Sequence, residues 1–196
     1  MKKFSIYPAE LNKEILNDSK LGGEIKVYNE LKKNNLPGFS VFYSCWWHNE
    51  TAKEIKDSKD GETDFILAHP NHGILFIEVK GGVIRHDGIN YFSKDKNNIE
   101  YEISNPYRQV LKNKYQTMEL LKRYYFQHLK KELPYINMNH AVIFPDSSNT
   151  HEFLKADSQE ITLFAEDLPE LFVKLLKILM PKNVSTRYGF IGEEGV

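Results

Sequence analysis

The segment that most constrains this chain is Ile74-Leu75-Phe76-Ile77-Glu78-Val79-Lys80. A strand of Ile, Leu, Phe and Ile is destined for burial. It ends by placing a carboxylate and an ammonium two residues apart, and strand side chains alternate, so Glu78 and Lys80 point to one face. Thr63 to Ala68 reads as the preceding strand, and His69-Pro70-Asn71-His72-Gly73 between the two is strong turn chemistry. The pair is therefore an antiparallel hairpin, in which the start of one strand lies beside the end of the other. Asp64 converges on Glu78 and Lys80.

Charges at the end of an apolar strand cost free energy unless they are paired or bind a metal. Two carboxylates converging on one spot repel, and a hard divalent cation such as Mg²⁺ removes the repulsion. A nearby lysine can orient or deprotonate a water. These are the components of phosphodiester hydrolysis: a Lewis acid, a nucleophilic water and positive charge for the transition state. The plain alternative is a same-face ion pair between Glu78 and Lys80, with Asp64 a turn residue, because the D-x13-E-x-K pattern alone is loose.

Around this hairpin the chain reads as a mixed α/β domain with one central sheet. The first 20 residues are mixed and are expected to wrap the surface. A helix opens at Leu21-Gly22-Gly23, runs to about Lys33 and is stopped by Leu36-Pro37-Gly38. Phe39 to Trp47 reads as a strand and residues 48–62 as a polar loop. After Gly81-Gly82, Val83-Ile84-Arg85 and Tyr91-Phe92 suggest a small hairpin, and Ile99 to Ile103 a further strand. Asn105-Pro106 is a helix start, Asn as N-cap and Pro at the first helical position. That helix is predicted to run to about Lys131 with an apolar stripe of Tyr107, Leu111, Met118, Leu121, Tyr125 and Leu129. His140 to Phe144 is a buried strand closed by Pro145-Asp146, Ile161 to Phe164 another strand, and Leu168 to Leu179 a final amphipathic helix.

On a helical wheel the first helix has an apolar face of Leu21, Ile25, Tyr28 and Leu31, and Glu24 falls inside it. An acid on the core-facing side near a helix N-terminus is either held by the helix dipole or aimed at the Asp64 and Glu78 site.

Gly23-Glu24 on an amphipathic helix, Glu62-x-Asp64, Ile77-Glu78-Val79-Lys80-Gly81 and Asn105-Pro106-x-x-Gln109 together closely resemble the nuclease-related domain, a branch of the PD-(D/E)XK nuclease superfamily. The resemblance covers roughly residues 20–130. It implies a restriction-endonuclease-like core, a central mixed sheet flanked by helices in α-β-β-β-α-β order. It also implies roles. Asp64 and Glu78 would ligate Mg²⁺ or Mn²⁺ with the Val79 carbonyl; Lys80 would position or activate the water; Glu24 would assist at the metal, directly or through water. Gln109, in the first turn of the long helix, would contact the site or the phosphate backbone. Thr63 stands where the superfamily's eponymous proline would, a loose position. The expected substrate is DNA. The expected organisation is one nuclease-like domain over residues 1–196, with the family-like core at about 20–145 and a C-terminal elaboration at 146–196. Such domains accompany helicases or other motors or act in defence against foreign DNA. This chain carries no motor motif, so any helicase or other motor or regulatory module would be a partner or lie in a missing C-terminal portion. The rival function is a non-catalytic nucleic-acid-binding or protein-interaction module on the same fold.

Other candidates are weaker. Cys45-x-x-His48 has no partner pair for zinc; His69 and His72 read as turn residues, and His86 follows the catalytic strand within reach of a substrate. Lys112, Lys114, Lys122, Arg123, Lys130 and Lys131 give the long helix a basic surface, either solvated or in contact with phosphate. Trp46, Trp47 and Tyr43 are candidates for base stacking or, more simply, for the strand core. A net charge of -1 excludes a global basic field, so a nucleic-acid partner would be held by a local patch. The lone Cys45 forms no intramolecular disulfide and reads as a small core residue, which points to a reducing cytosol. No signal peptide is read at the N-terminus, and no run approaches the ~18 apolar residues of a membrane span.

Overall fold

The computed structural model describes residues 3–33, 36–48, 60–149 and 156–180. Most of the polar loop expected at 48–62, and everything after residue 180, lie outside the described residues. The hairpin read from sequence forms the middle of a mixed sheet. Strands β1 (Ser5–Tyr7), β2 (Ser40–His48), β3 (Asp60–His69), β4 (Gly73–Val79), β8 (Met138–Phe144) and β9 (Thr162–Phe164) lie side by side in that order. β2, β3 and β4 are mutually antiparallel; β1, β8 and β9 join in parallel. All seven residues of β4 are buried, as its composition demands.

Helices cover both faces, giving a mixed α/β architecture compatible with a restriction-endonuclease-like fold. On one face Val27, Tyr28 and Leu31 of α2 (Gly22–Lys33) and Leu171, Phe172, Leu175 and Leu179 of α5 (Leu171–Leu179) pack on Tyr43, Phe65, Leu75 and Ile77. On the other, Val110 of α3 (Pro106–Tyr124) packs with Phe76, Val142 and Phe144. Asn105 caps α3 as read, its carboxamide oxygen accepting from the amides of Tyr107 and Arg108. Two short helices, α1 (Lys13–Asn17) and α4 (Ala156–Gln159), complete the set.

Several expectations are corrected. The first 20 residues do more than wrap the surface: Ser5–Tyr7 adds a strand to the sheet, too short to show an alternating pattern. β3 begins at Asp60, three residues before the expected Thr63, because its polar start pairs with β2 rather than with the core. The small hairpin, β5 (Val83–His86) and β6 (Tyr91–Lys94), and the further strand, β7 (Glu100–Ile103), form as read, and the three make a second sheet in addition to the one central sheet expected. The expected stripe of the long helix holds in part: Tyr107 and Leu121 pack on the core and Tyr125 is buried, but Leu111 and Leu129 are exposed, and Val110 and Asn113 are buried as well. The burial of Asn113 goes with a side-chain bond, from its Nδ2 to the Glu62 carbonyl at 2.6 Å. Past Tyr124 the helix widens into a π turn over Tyr125–Leu129 and stops at Lys130, which is left-handed at φ 52°. The final helix is interrupted: Pro169 lies in a 3₁₀ segment, Ala165–Glu170, ahead of α5.

Candidate active site

The site lies where the sheet comes apart. The last backbone pair between β3 and β4 is Phe65 with Ile77, and continuing that register sets Asp64 opposite Glu78. The ladder to β2 is also interrupted at Asp64, between the pairs Tyr43 with Phe65 and Cys45 with Thr63. The residue facing it, Ser44, is left-handed at φ 55°, a conformation that costs a non-glycine residue on the order of 1–2 kcal/mol. With the ladder open, the Asp64 carboxylate itself accepts the Val79 amide proton at 2.7 Å. β4 remains tied to β8 here, and the Lys80 amide donates to the Ile143 carbonyl at 3.0 Å.

Glu78 is wholly buried. Lys80, on the same face as alternation requires, donates from Nζ to Glu78 Oε1 at 2.6 Å. The second oxygen, Oε2, has no partner among the described residues, and an unpartnered buried carboxylate oxygen is costly. Burial, and then the charge of Asp64, raise the Glu78 pKa well above the carboxylate range. Asp64 is likewise raised by burial, with the Val79 hydrogen bond opposing. Glu24 arrives from the first turn of α2, and its pKa rises to about 7, through burial first and the charge of Asp64 second. The structure thus brings together Glu24, Asp64, Glu78 and Lys80, an acidic trio with one cation bonded to it.

The trio is coupled through charge rather than closed into a shell: among the described residues no three His, Cys, Asp or Glu side chains are gathered as a metal-binding group. Gln109 sits half-buried in the first turn of α3, and its recorded bond is from its own amide to the Asn105 carbonyl, at 3.1 Å. No contact joins it to the trio among the described residues.

The helix carrying Glu24 is held close by glycines. A Cβ on Gly23 would lie 2.9 Å from Gly81 Cα and 3.2 Å from Pro145 Cγ, so the α2 N-terminus rests directly on the chain leaving Lys80. Gly82, at φ +82°, turns the chain into the small sheet, and Asp146 fastens the turn by accepting from the Gly82 amide at 2.9 Å while pairing with Lys26.

Asp146 and Asn113 carry no functional reading in the sequence, and Tyr43, read there for stacking or core, takes a different part. The Tyr43 hydroxyl hydrogen-bonds to the Glu24 carboxylate, and burial and that charge raise its pKa. Its place one strand-step from Ser44 becomes meaningful only once the register is known. Asp146 and Asn113 look like loop and helix-surface residues until their partners are seen. Among the weaker candidates, Tyr43 and Trp47 are core and Trp46 is exposed. Cys45 is half-buried and its thiol is pushed up to about 11 by burial. His69 and His72 stack on each other and on Phe39 at the turn end of the hairpin, remote from Asp64. His86 packs on Tyr91. Lys114 departs from the expected basic surface: it is half-buried against His140, Nζ to Nδ1 3.3 Å.

Fold and site together define an α/β domain with a charged cluster at open strand ends. The family model of the nuclease-related domain matches residues 19–145, and the chain belongs to that family. No curated protein and no solved structure matches it. The match spans α2 through β8, all four site residues and the Gly23–Gly81 contact. Its membership makes the protein nuclease-related. No helix among the described residues is long and apolar enough to cross a membrane.

Proposed function

We propose that the protein is a metal-dependent nuclease that hydrolyses phosphodiester bonds, with DNA as its expected substrate. One observation carries the reading: a wholly buried Glu78 with an unpartnered oxygen, opposite Asp64 and bonded to Lys80. A divalent cation would relieve the repulsion that otherwise drives these carboxyls to hold protons.

The donor set fits a hard divalent cation, since all its members are oxygens and the orphaned Oε2 of Glu78 lacks a positive neighbour of its own. Asp64, Glu78 and the Val79 carbonyl would hold Mg²⁺ or Mn²⁺, with Glu24 behind them, and the ion when bound supplies Lewis acidity and charge stabilisation at phosphorus. The remaining work falls to the chain. Lys80 uses one of its three N–H donors on Glu78 and keeps the others to orient a water. Glu24, near pH 7 and fixed by Tyr43, is poised to take or return a proton. The water oxygen attacks phosphorus, the bond to the 3′ oxygen breaks opposite, and the departing oxygen is protonated.

The test is cleavage of plasmid, linear duplex, single-stranded DNA and RNA with Mg²⁺, Mn²⁺ or a chelator, comparing wild type with Asp64→Ala and Lys80→Ala. Metal-dependent cleavage absent from both variants is expected. Cleavage surviving both substitutions would sink the site assignment.

A further inference from the structure

We infer that Trp46 is a stacking platform for an unpaired nucleobase, set on a hairpin arm that projects beyond the acidic cluster. This rests on the nucleic-acid reading above and adds the form of substrate the site accepts. β4 stops at Val79, but β2 and β3 continue together through the pairs Cys45 with Thr63, Trp46 with Glu62, Trp47 with Gly61 and His48 with Asp60. A two-stranded ribbon therefore runs on past the carboxylates.

Two adjacent tryptophans on this ribbon have opposite fates. Trp47 is 7% exposed and lies flat over Gly61, where a Cβ would fall 2.0 Å from its ring. Trp46 is 73% exposed. Cross-strand partners share a face, so Trp46 stands with Glu62, and Glu62 is two residues from Asp64 on that same face. Trp46 is thus diagonal to Asp64, a separation of roughly 7–8 Å between such positions, about one nucleotide step. The strand beneath is anchored: Ser44 Oγ bonds to the Glu62 carboxylate, and Asn113 Nδ2 bonds to the Glu62 carbonyl.

Isolated exposed apolar residues are common on protein surfaces. An indole on a pinned strand, one step from the reacting carboxylates, is better placed than most. It offers a π-face that any base can cover. A continuous duplex hides the faces of its bases, so the platform selects an unpaired base, in a single strand or at a frayed end.

The chain has two tryptophans, so the difference in emission between wild type and Trp46→Phe reports Trp46. In chelator, a short single-stranded oligothymidylate, as DNA and as RNA, is titrated into wild type and Trp46→Phe, and affinity is compared with Trp46→Ala. Quenching of solvent-exposed indole emission is expected in wild type and not in Trp46→Phe. Trp46→Ala should weaken binding about tenfold, within the range for loss of a base stack. Oligonucleotides carrying an abasic position scanned along the strand should reproduce that loss at one position in wild type and add nothing in Trp46→Ala, a non-additivity that a purely structural role would not produce. The DNA and RNA arms decide which sugar is accepted. Equal affinity for wild type and Trp46→Ala, while cleavage persists, overturns this inference and leaves the nuclease reading standing. Quenching and abasic coupling without cleavage in metal supports it and removes the nuclease reading. Absence of binding to any nucleic acid, in chelator and in Ca²⁺ alike, overturns this inference, and absence of metal-dependent cleavage as well overturns both.

Discussion

The Asp64 carboxylate takes the Val79 amide proton across the gap where β3 and β4 separate, doing with a side chain what the strand ladder no longer does. One residue thereby closes the sheet's open end and supplies charge to the site. Asp64→Asn keeps an acceptor for the amide and removes the charge. Cleavage is expected to fall by at least about 100-fold, as for loss of a group stabilising the transition state, with the melting temperature little changed. Asp64→Ala should lose cleavage as well and be further destabilised, by ~1–3 kcal/mol for the unpaired amide. Parallel turnover and thermal melts distinguish the two.

Lys80 is bonded to a carboxylate that has no contact with water. Lys80→Met takes away the cation that holds the Glu78 pKa down, so the carboxyl keeps its proton, and loss of the hydrogen bond to Lys80 costs roughly 1–3 kcal/mol. Adding Glu78→Gln should then cost little more, and neither variant should cleave. Urea unfolding of the two single variants and the double variant measures the coupling; additive losses would contradict it.

The acidic cluster sets a pH dependence. Glu24 rises from 4.5 to about 7 in the fold. A raised carboxyl pKa means the folded state binds more protons, so this contribution is present below pH 4.5 and is lost as pH climbs through 7. Glu78 shifts in the same direction. His140 opposes them: lowered from 6.5 to about 4 by burial and by Lys114, it favours the fold above pH 6.5 and weakens it as pH falls through 4. The cluster's effect is therefore cleanest above pH 6.5, where metal-free protein should melt at lower temperature as pH rises. Mg²⁺ or Mn²⁺ should reverse that trend, because a ligand bound only by the folded state stabilises it. Melting curves across pH with chelator and with metal provide the check.

Gly23 and Gly22 make a matched pair. A methyl on Gly23 would press on the Gly81 backbone, whereas one on Gly22 meets nothing within 4 Å. Gly23→Ala should cost ~1–3 kcal/mol and displace Glu24, lowering activity beyond what the stability loss explains. Gly22→Ala should be neutral or slightly stabilising. A Gly23→Ala protein as stable and active as Gly22→Ala would refute the close approach.

Asn113→Ala removes the bond that orients α3 against β3. A destabilisation of about 1–3 kcal/mol is expected, since the Glu62 carbonyl loses its side-chain donor. Hydrogen exchange should show faster opening at the Asp60–Thr63 end of β3 and near wild-type protection at Phe76 and Ile77.

Much of this protein was legible without coordinates because local rules suffice for it. The apolar run of β4, the turn at His69–Gly73 and the Asn105-Pro106 cap specify their elements by composition and short-range chemistry. Alternation alone puts Glu78 and Lys80 on one face, and helical periodicity alone marks Glu24 as an acid turned inward. What the tertiary structure decided depends on contacts distant in sequence. Whether Ser5–Tyr7 is a strand depends on β2 being there to pair with it. The burial of Asn113 on α3 depends on its reaching Glu62, which no periodicity of the helix itself encodes. The separation of the β5–β7 sheet follows from the turn at Gly81-Gly82 and its fastening by Asp146 and Ser147, residues more than sixty positions downstream. The opposite fates of Trp46 and Trp47 likewise follow from which face of the ribbon meets Gly61 and which meets water, a difference the two identical side chains cannot carry in themselves.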